Sequence, residues 1–193
     1  MKSKLISLIT CLLLVTGAVS AKEYEVDPAH SKVGFSVTHL QLSEVEGKFN
    51  DFTGKIIWEP KDLKSSKIFF KAKTNSIDTD NNKRDAHLKG SDFFDAAKYP
   101  ELSFESTKIK RLGSERYLVT GKLTAHGVTR TIKVTVRMKG PVDLFGDGET
   151  SLGFNTRFKI NRISYGIGAG WKGGSDKVVG HDVFITVKGE AHE

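Results

Sequence analysis

Residues 66–125 read SKIFFKAKTNSIDTDNNKRDAHLKGSDFFDAAKYPELSFESTKIKRLGSERYLVTGKLTA. The stretch opens on alternation, with Ile68, Phe70 and Ala72 on one face and Lys71 and Lys73 on the other. Two more alternating runs close it, joined by a turn at Gly113. A period of two is the signature of half-buried antiparallel strand. Between the runs lies a polar segment and an aromatic-bearing bend ending at Pro100. An insertion of nearly thirty residues is long for a hairpin and invites a functional reading. Asp78–Gly90 is its helix candidate: Asp80 is placed to cap it, Asp85 to pair with Lys89, and Gly90 to stop it.

The same rhythm extends outward in both directions. Before the insertion, Tyr24–Val26 opens a strand and Asp27-Pro28-Ala29-His30 reads as a turn. Val33, Phe35 and Val37 then face one way, and Val45–Phe49 and Phe52–Glu59 flank a turn signal at Asn50-Asp51. After it come Ile132, Val134, Val136 and Met138, then Phe154, Thr156, Phe158 and Ile160, and finally Val183, Ile185 and Val187. This predicts eight to ten strands and one short helix, with no βαβ unit. The fold class is all-β, and patterning leaves an antiparallel barrel and a two-sheet sandwich open.

Residues 1–21 read as a cleaved secretory leader. Lys2 and Lys4 precede an apolar run from Leu5 to Val15, and Val19, Ser20 and Ala21 offer a cleavage site. The run is short for a membrane span. The remaining 22–193 suits one domain, and losing Lys2 and Lys4 lowers the formal charge from +7 to +5. The single cysteine, Cys11, lies in the leader, so the mature chain must be held by its apolar core. Its charges alternate along strands, as in Lys133 and Arg137, which reads as a solvated face and not as a nucleic-acid footprint. Export places the protein in the periplasm or outside the cell, where weak attraction to an anionic membrane would help collect a lipid.

Several ordered motifs then carry a resemblance. They are Asp27-Pro28-Ala29-His30-Ser31, Val45-Glu46-Gly47-Lys48-Phe49 and Ser76-Ile77-Asp78-Thr79. Arg84-Asp85-Ala86-His87-Leu88, Asp92-Phe93-Phe94-Asp95 and Tyr99-Pro100-Glu101-Leu102-Ser103-Phe104 follow. Gly121–Thr129 and Ile160-Asn161-Arg162 complete the set. In order and spacing the chain resembles the YceI-like family of secreted or periplasmic polyisoprenoid-binding proteins. The resemblance implies an extended, lipocalin-like antiparallel β-barrel of about eight strands with one short helix in an insertion. It also implies an internal pocket for a polyisoprenoid, quinone or fatty amphiphile, with no cofactor required and no catalysis.

The inward-facing positions name the candidate channel lining: Phe35, Val37, Phe70, Phe104, Val119, Val134, Phe154, Phe158, Trp171 and Ile185. Small residues among them (Ala72, Ser106, Gly121 and Thr156) either leave a channel or interdigitate into solid core. At the mouth, Arg84 has the chemistry to meet a polar head, with Asp85 orienting His87; the competing reading makes these residues caps that hold the insertion down. Phe93, Phe94 and Tyr99 are candidate mouth aromatics, and Arg162 is a second head-group candidate. Asp27, His30 and Ser31 resemble an acid–base–nucleophile set, yet they crowd one turn, where capping is the natural role. The histidines are scattered and form no metal-binding motif. Two alternatives to a carrier stay open: an isomerase or hydrolase on the same barrel, and a solid-core interaction protein. Strand patterning also leaves a homodimer open.

Overall fold

The computed structural model describes residues 21–171 and 177–193. The leader expected over 1–21 falls almost wholly outside them, as do Gly173 and Gly174 of the glycine-rich stretch.

The alternating runs form eleven strand segments. They are β1 (Lys22–Val26), β2 (Lys32–His39), β3 (Ser43–Phe49), β4 (Phe52–Trp58), β5 (Lys67–Lys73) and β6 (Ile77–Asp78). After helix α1 (Asn82–Lys89) come β7 (Glu101–Arg111), β8 (Arg116–Ala125), β9 (Val128–Val142), β10 (Ser151–Asn161) and β11 (Val179–His192). Eight of them close a ring in the order β1-β4-β5-β7-β8-β9-β10-β11, which returns to β1 through Glu25↔His192 and Val26↔Ala191. Every pairing is antiparallel, and the closing pair decides for a barrel over a sandwich.

The other three segments continue ring strands past local bends. β2 follows β1 after a turn at Pro28–His30 and stays on the edge of β11. β3 precedes β4 across Asn50-Asp51 and pairs with β2. β6 follows β5 after a turn at Thr74–Ser76 and pairs with β3. The count exceeds the expected eight to ten because these three long strands are bent.

The first bend has a legible cause. Pro28 has no N–H to give a ladder, and Asp27 accepts the Ala29 N–H at 2.8 Å while contacting His30 Nδ1 at 2.6 Å. Ser31 Oγ accepts the Glu190 N–H at 3.2 Å, and it fits only because Gly189 lies opposite: a Cβ there would come within 2.6 Å of Ser31 Cα. Asp27, His30 and Ser31 are therefore a turn lock, with the serine hydroxyl on backbone.

Two irregularities elsewhere matter for the interior. A bulge between Ser106 and Lys108 in β7 turns Ser106 Oγ onto the Ile68 N–H at 2.8 Å, which satisfies a buried hydroxyl. Pairing of β9 with β10 stops at Thr156↔Val136, where Thr156 Oγ1 donates to the Thr135 carbonyl at 2.9 Å. Beyond that point β9 is paired only with β8, and β10 only with β11.

The two ends of the barrel are filled differently. At the end away from the insertion, Tyr24, Ile56, Trp58, Leu152 and Ala191 are buried, and Trp58 meets Tyr117 edge-on at 4.9 Å. The insertion end carries α1, the aromatic bend, the His126-Gly127 turn and a short turn at Arg162–Tyr165. Helix α1 is capped one residue later than expected and is shorter than Asp78–Gly90: Asn81, not Asp80, accepts the Arg84 N–H, and Asp80 sits in the left-handed region at φ 59°.

Candidate functional site

Inside the barrel, toward the insertion end, lies a cavity of about 200 Å³. Its walls come from every long strand, and Leu88, Phe93 and Phe94 of the insertion roof it. Sequence alternation explains the polarity. Inward positions are apolar, and Thr156 and Arg162 are the polar side chains turned toward the space among the described residues; Lys71 and Ser103 border it from outward positions of their strands.

The cavity exists because aromatic rings lie along the wall instead of across it. Phe35 is paired in register with Gly47, and Phe70 with Gly54. A Cβ at Gly47 would stand 2.7 Å from Phe35 Cε1, and one at Gly54 would stand 2.9 Å from Phe70 Cε1. Gly121 serves Phe104 in the same way, at 2.6 Å from Cε2. Each glycine removes the side chain a ring would otherwise meet, so the ring folds back onto backbone and leaves the axis free. Solid core and channel were alternatives in the alternation pattern; the barrel contains both, one at each end.

Nine of the ten expected lining residues border the cavity: Phe35, Val37, Phe70, Phe104, Val119, Val134, Phe154, Phe158 and Ile185. Trp171 does not. It packs at 5.2 Å on Phe93 and 5.5 Å on His87, outside the lining, because Tyr165–Trp171 forms turns over the barrel end and not a stretch of wall.

The expected mouth residues divide in two. Phe93, Phe94 and Arg162 border the cavity, whereas Arg84, Asp85, His87 and Tyr99 do not. Arg84 is turned onto Thr79, with Nε donating to Oγ1 at 2.7 Å and a terminal nitrogen donating to the carbonyl at 2.6 Å. Asp85 accepts the Thr79 N–H at 2.9 Å and hydroxyl at 2.5 Å; the Lys89 pairing gives way to this buried site. Together they staple the helix to the end of β6. His87 contacts Asp92 at 3.3 Å and Phe93 edge-on at 5.0 Å. Tyr99 stacks at 4.4 Å on His126, against Gly127 of the β8–β9 turn.

Leu88, Leu102, Leu123 and Ile167 line the cavity without having been among the expected lining residues. Leu88 and Ile167 lie outside strands, while Leu102 and Leu123 continue the Phe104 and Val119 faces and were legible in principle.

Arg162 is 6% exposed and each of its nitrogens is engaged: Nε with the Gly180 carbonyl at 2.9 Å, the others with Ile167 at 2.8 Å and Val179 at 3.0 Å. It thereby ties the bulge between Val179 and Val183 of β11 to the turn after β10. Burial pushes its guanidinium down from the ordinary value. Tyr165 below Arg130 is pushed up by burial.

A closed antiparallel barrel of eight strands around an apolar internal space defines a lipocalin-like, cavity-bearing class. Comparison with known proteins narrows it. The YceI-like domain matches residues 24–191, and the chain belongs to that family. It is 33% identical over 180 residues to Protein YceI of Salmonella newport (strain SL254), covering 92% of each chain. Among solved structures it superposes on BcnA of Burkholderia cenocepacia with a TM-score of 0.77 at 27% identity, covering 87% of this chain and 99% of that one. A polyisoprenoid binding domain from Saccharophagus degradans, implicated in plant cell wall breakdown, shares the fold with a TM-score of 0.70 at 15% identity, over 90% and 98% of the chains.

Proposed function

We propose that the protein is a noncatalytic carrier or store for a long-chain isoprenoid lipid or quinone, working in the periplasm or outside the cell. The observation that carries the reading is the apolar cavity held open by phenylalanine rings laid over glycines. Its driving force is burial, at roughly 0.8 kcal/mol per CH₂. The two polar side chains that face the space among the described residues, Thr156 and Arg162, both donate to backbone carbonyls and form no acid–base pair, which supports binding over acid–base chemistry. The polyisoprenoid binding domain that shares the fold supports the same ligand class.

A cavity of about 200 Å³ is smaller than the roughly 300–1,000 Å³ typical of ligand pockets. A long tail therefore requires the wall to yield. The place for this is the split between β9 and β10 above Thr156, where no ladder has to be broken. Loading would follow transient contact with a membrane surface.

Solvent extraction of the purified protein followed by mass spectrometry tests the proposal. An isoprenoid, quinone or comparable amphiphile in stoichiometric amount is the expected result. A delipidated protein that neither retains nor takes up any such molecule overturns it.

A further inference from the structure

Arg162 stands out because a buried guanidinium normally has a carboxylate. Here three carbonyls hold it, and no carboxylate among the described residues lies within ion-pair distance. A guanidinium has five N–H donors, so two remain without a protein acceptor among the described residues. Gly168, at φ 69°, lets this group and Phe93 approach the backbone: a Cβ there would stand 2.9 Å from Phe93 Cε1 and closer still to Arg162. The result, among the described residues, is a positive charge without a carboxylate partner at the edge of a space lined mostly by hydrocarbon. In such surroundings a charge is screened little, and it favours an acceptor while disfavouring a second cation.

We infer that Arg162 selects the head group: the resident ligand carries an electronegative head (a carboxylate, a phosphate or a quinone carbonyl) that sits beneath the insertion against Arg162. Its tail runs from there toward Met138 and Ile56. This rests on the carrier reading and adds to it a polarity and a direction. Of the two arginines expected as head-group contacts it selects Arg162, since Arg84 gives Nε and one terminal nitrogen to Thr79 and does not border the cavity. The three carbonyl bonds hold the guanidinium in place, so the structural lock and the selective contact are the same arrangement.

The test uses four ligands with one tail on the delipidated protein: hexadecanoate, hexadecyl phosphate, hexadecanol and hexadecylamine, each displacing the neutral probe N-phenyl-1-naphthylamine. The acid and the phosphate should bind about tenfold or more tighter than the amine, with the alcohol between, as befits one charge-assisted hydrogen bond. Equal binding of all four overturns the head-group inference and leaves the carrier reading standing. Failure of the probe and all four ligands to bind overturns the carrier reading itself. In Arg162→Met, checked for folding by circular dichroism, the acid-to-amine ratio should fall to about one. A folded variant with the parent ratio also overturns the inference. Should the variant not fold, the unmodified protein's ligand series decides alone.

Discussion

Replacing Gly47 by Ala tests how the cavity is made. The new Cβ would stand 2.7 Å from Phe35 Cε1 and 2.8 Å from Thr79 Cγ2, where ordinary contact begins at 3.4 Å. Thr79 cannot give way, because Asp85 and Arg84 hold its N–H, hydroxyl and carbonyl. Phe35 must therefore swing off the wall by on the order of 1 Å, and the open side is the cavity. Overpacking of this kind costs about 1–3 kcal/mol, offset by about 0.4–1 kcal/mol from the less flexible unfolded chain. A net loss of about 1–2 kcal/mol should lower Tm by roughly 2–8 °C. If the ring displaces the equivalent of two methylenes of ligand, affinity falls by about 1.6 kcal/mol, or some fifteenfold. The assay is titration of delipidated protein with its extracted ligand, beside a melting curve. Adding Phe35→Leu to Gly47→Ala should restore most of the affinity. Unchanged affinity in Gly47→Ala, or no rescue by Phe35→Leu, would show that the ring-over-glycine arrangement does not keep the interior open.

Three further outcomes are expected. Cysteines replacing Lys133 and Lys159, on facing edges of the β9–β10 split, should slow uptake of a long tail when oxidised or bridged by a bis-maleimide, with reduction of the disulfide restoring the rate; stopped-flow uptake checks this, and an unchanged rate in the bridged protein removes the split as the place where the wall yields. Asp85→Asn leaves the Thr79 N–H and hydroxyl with a weaker acceptor, so stability should fall by about 1–3 kcal/mol in urea unfolding while the acid-to-amine selectivity stays put. The Asp27–His30 pair should make a small pH-dependent contribution. His30 is raised chiefly by its hydrogen bond to Asp27, so its contribution is complete below the ordinary imidazole range and is lost as pH rises through the raised value. Asp27 is lowered chiefly by that same bond, so its part is lost as pH falls through the lowered value. The lock is strongest between about pH 4 and 6.5, and melting curves of His30→Gln against the parent should differ most there.

Much of the barrel was legible because strand alternation is local. Phe35, Phe70, Phe104, Phe154 and Phe158 each sit two residues from another inward position, and the chain itself sorts them from the lysines and threonines between. The turns at Asp27-Pro28 and His126-Gly127 were equally local, since each depends on a residue's own φ or missing N–H. The motifs also identified the family, and with it the barrel.

Closure, the bends and the fate of the mouth residues were settled only between distant parts of the chain. Glu25 meeting His192 turns a sheet into a barrel, and no spacing announces it. Arg84 and Asp85 look like a head-group pair until Thr79 takes both, because burying a carboxylate and a hydroxyl together requires that they satisfy each other. The cavity depends on which glycine faces which ring: Gly47 and Phe35 are twelve residues apart in sequence but opposite in register. Sequence by itself determined which side chains point inward, since that follows from a two-residue period. Tertiary structure alone decided whether they meet in the middle, since that depends on what stands on the neighbouring strand.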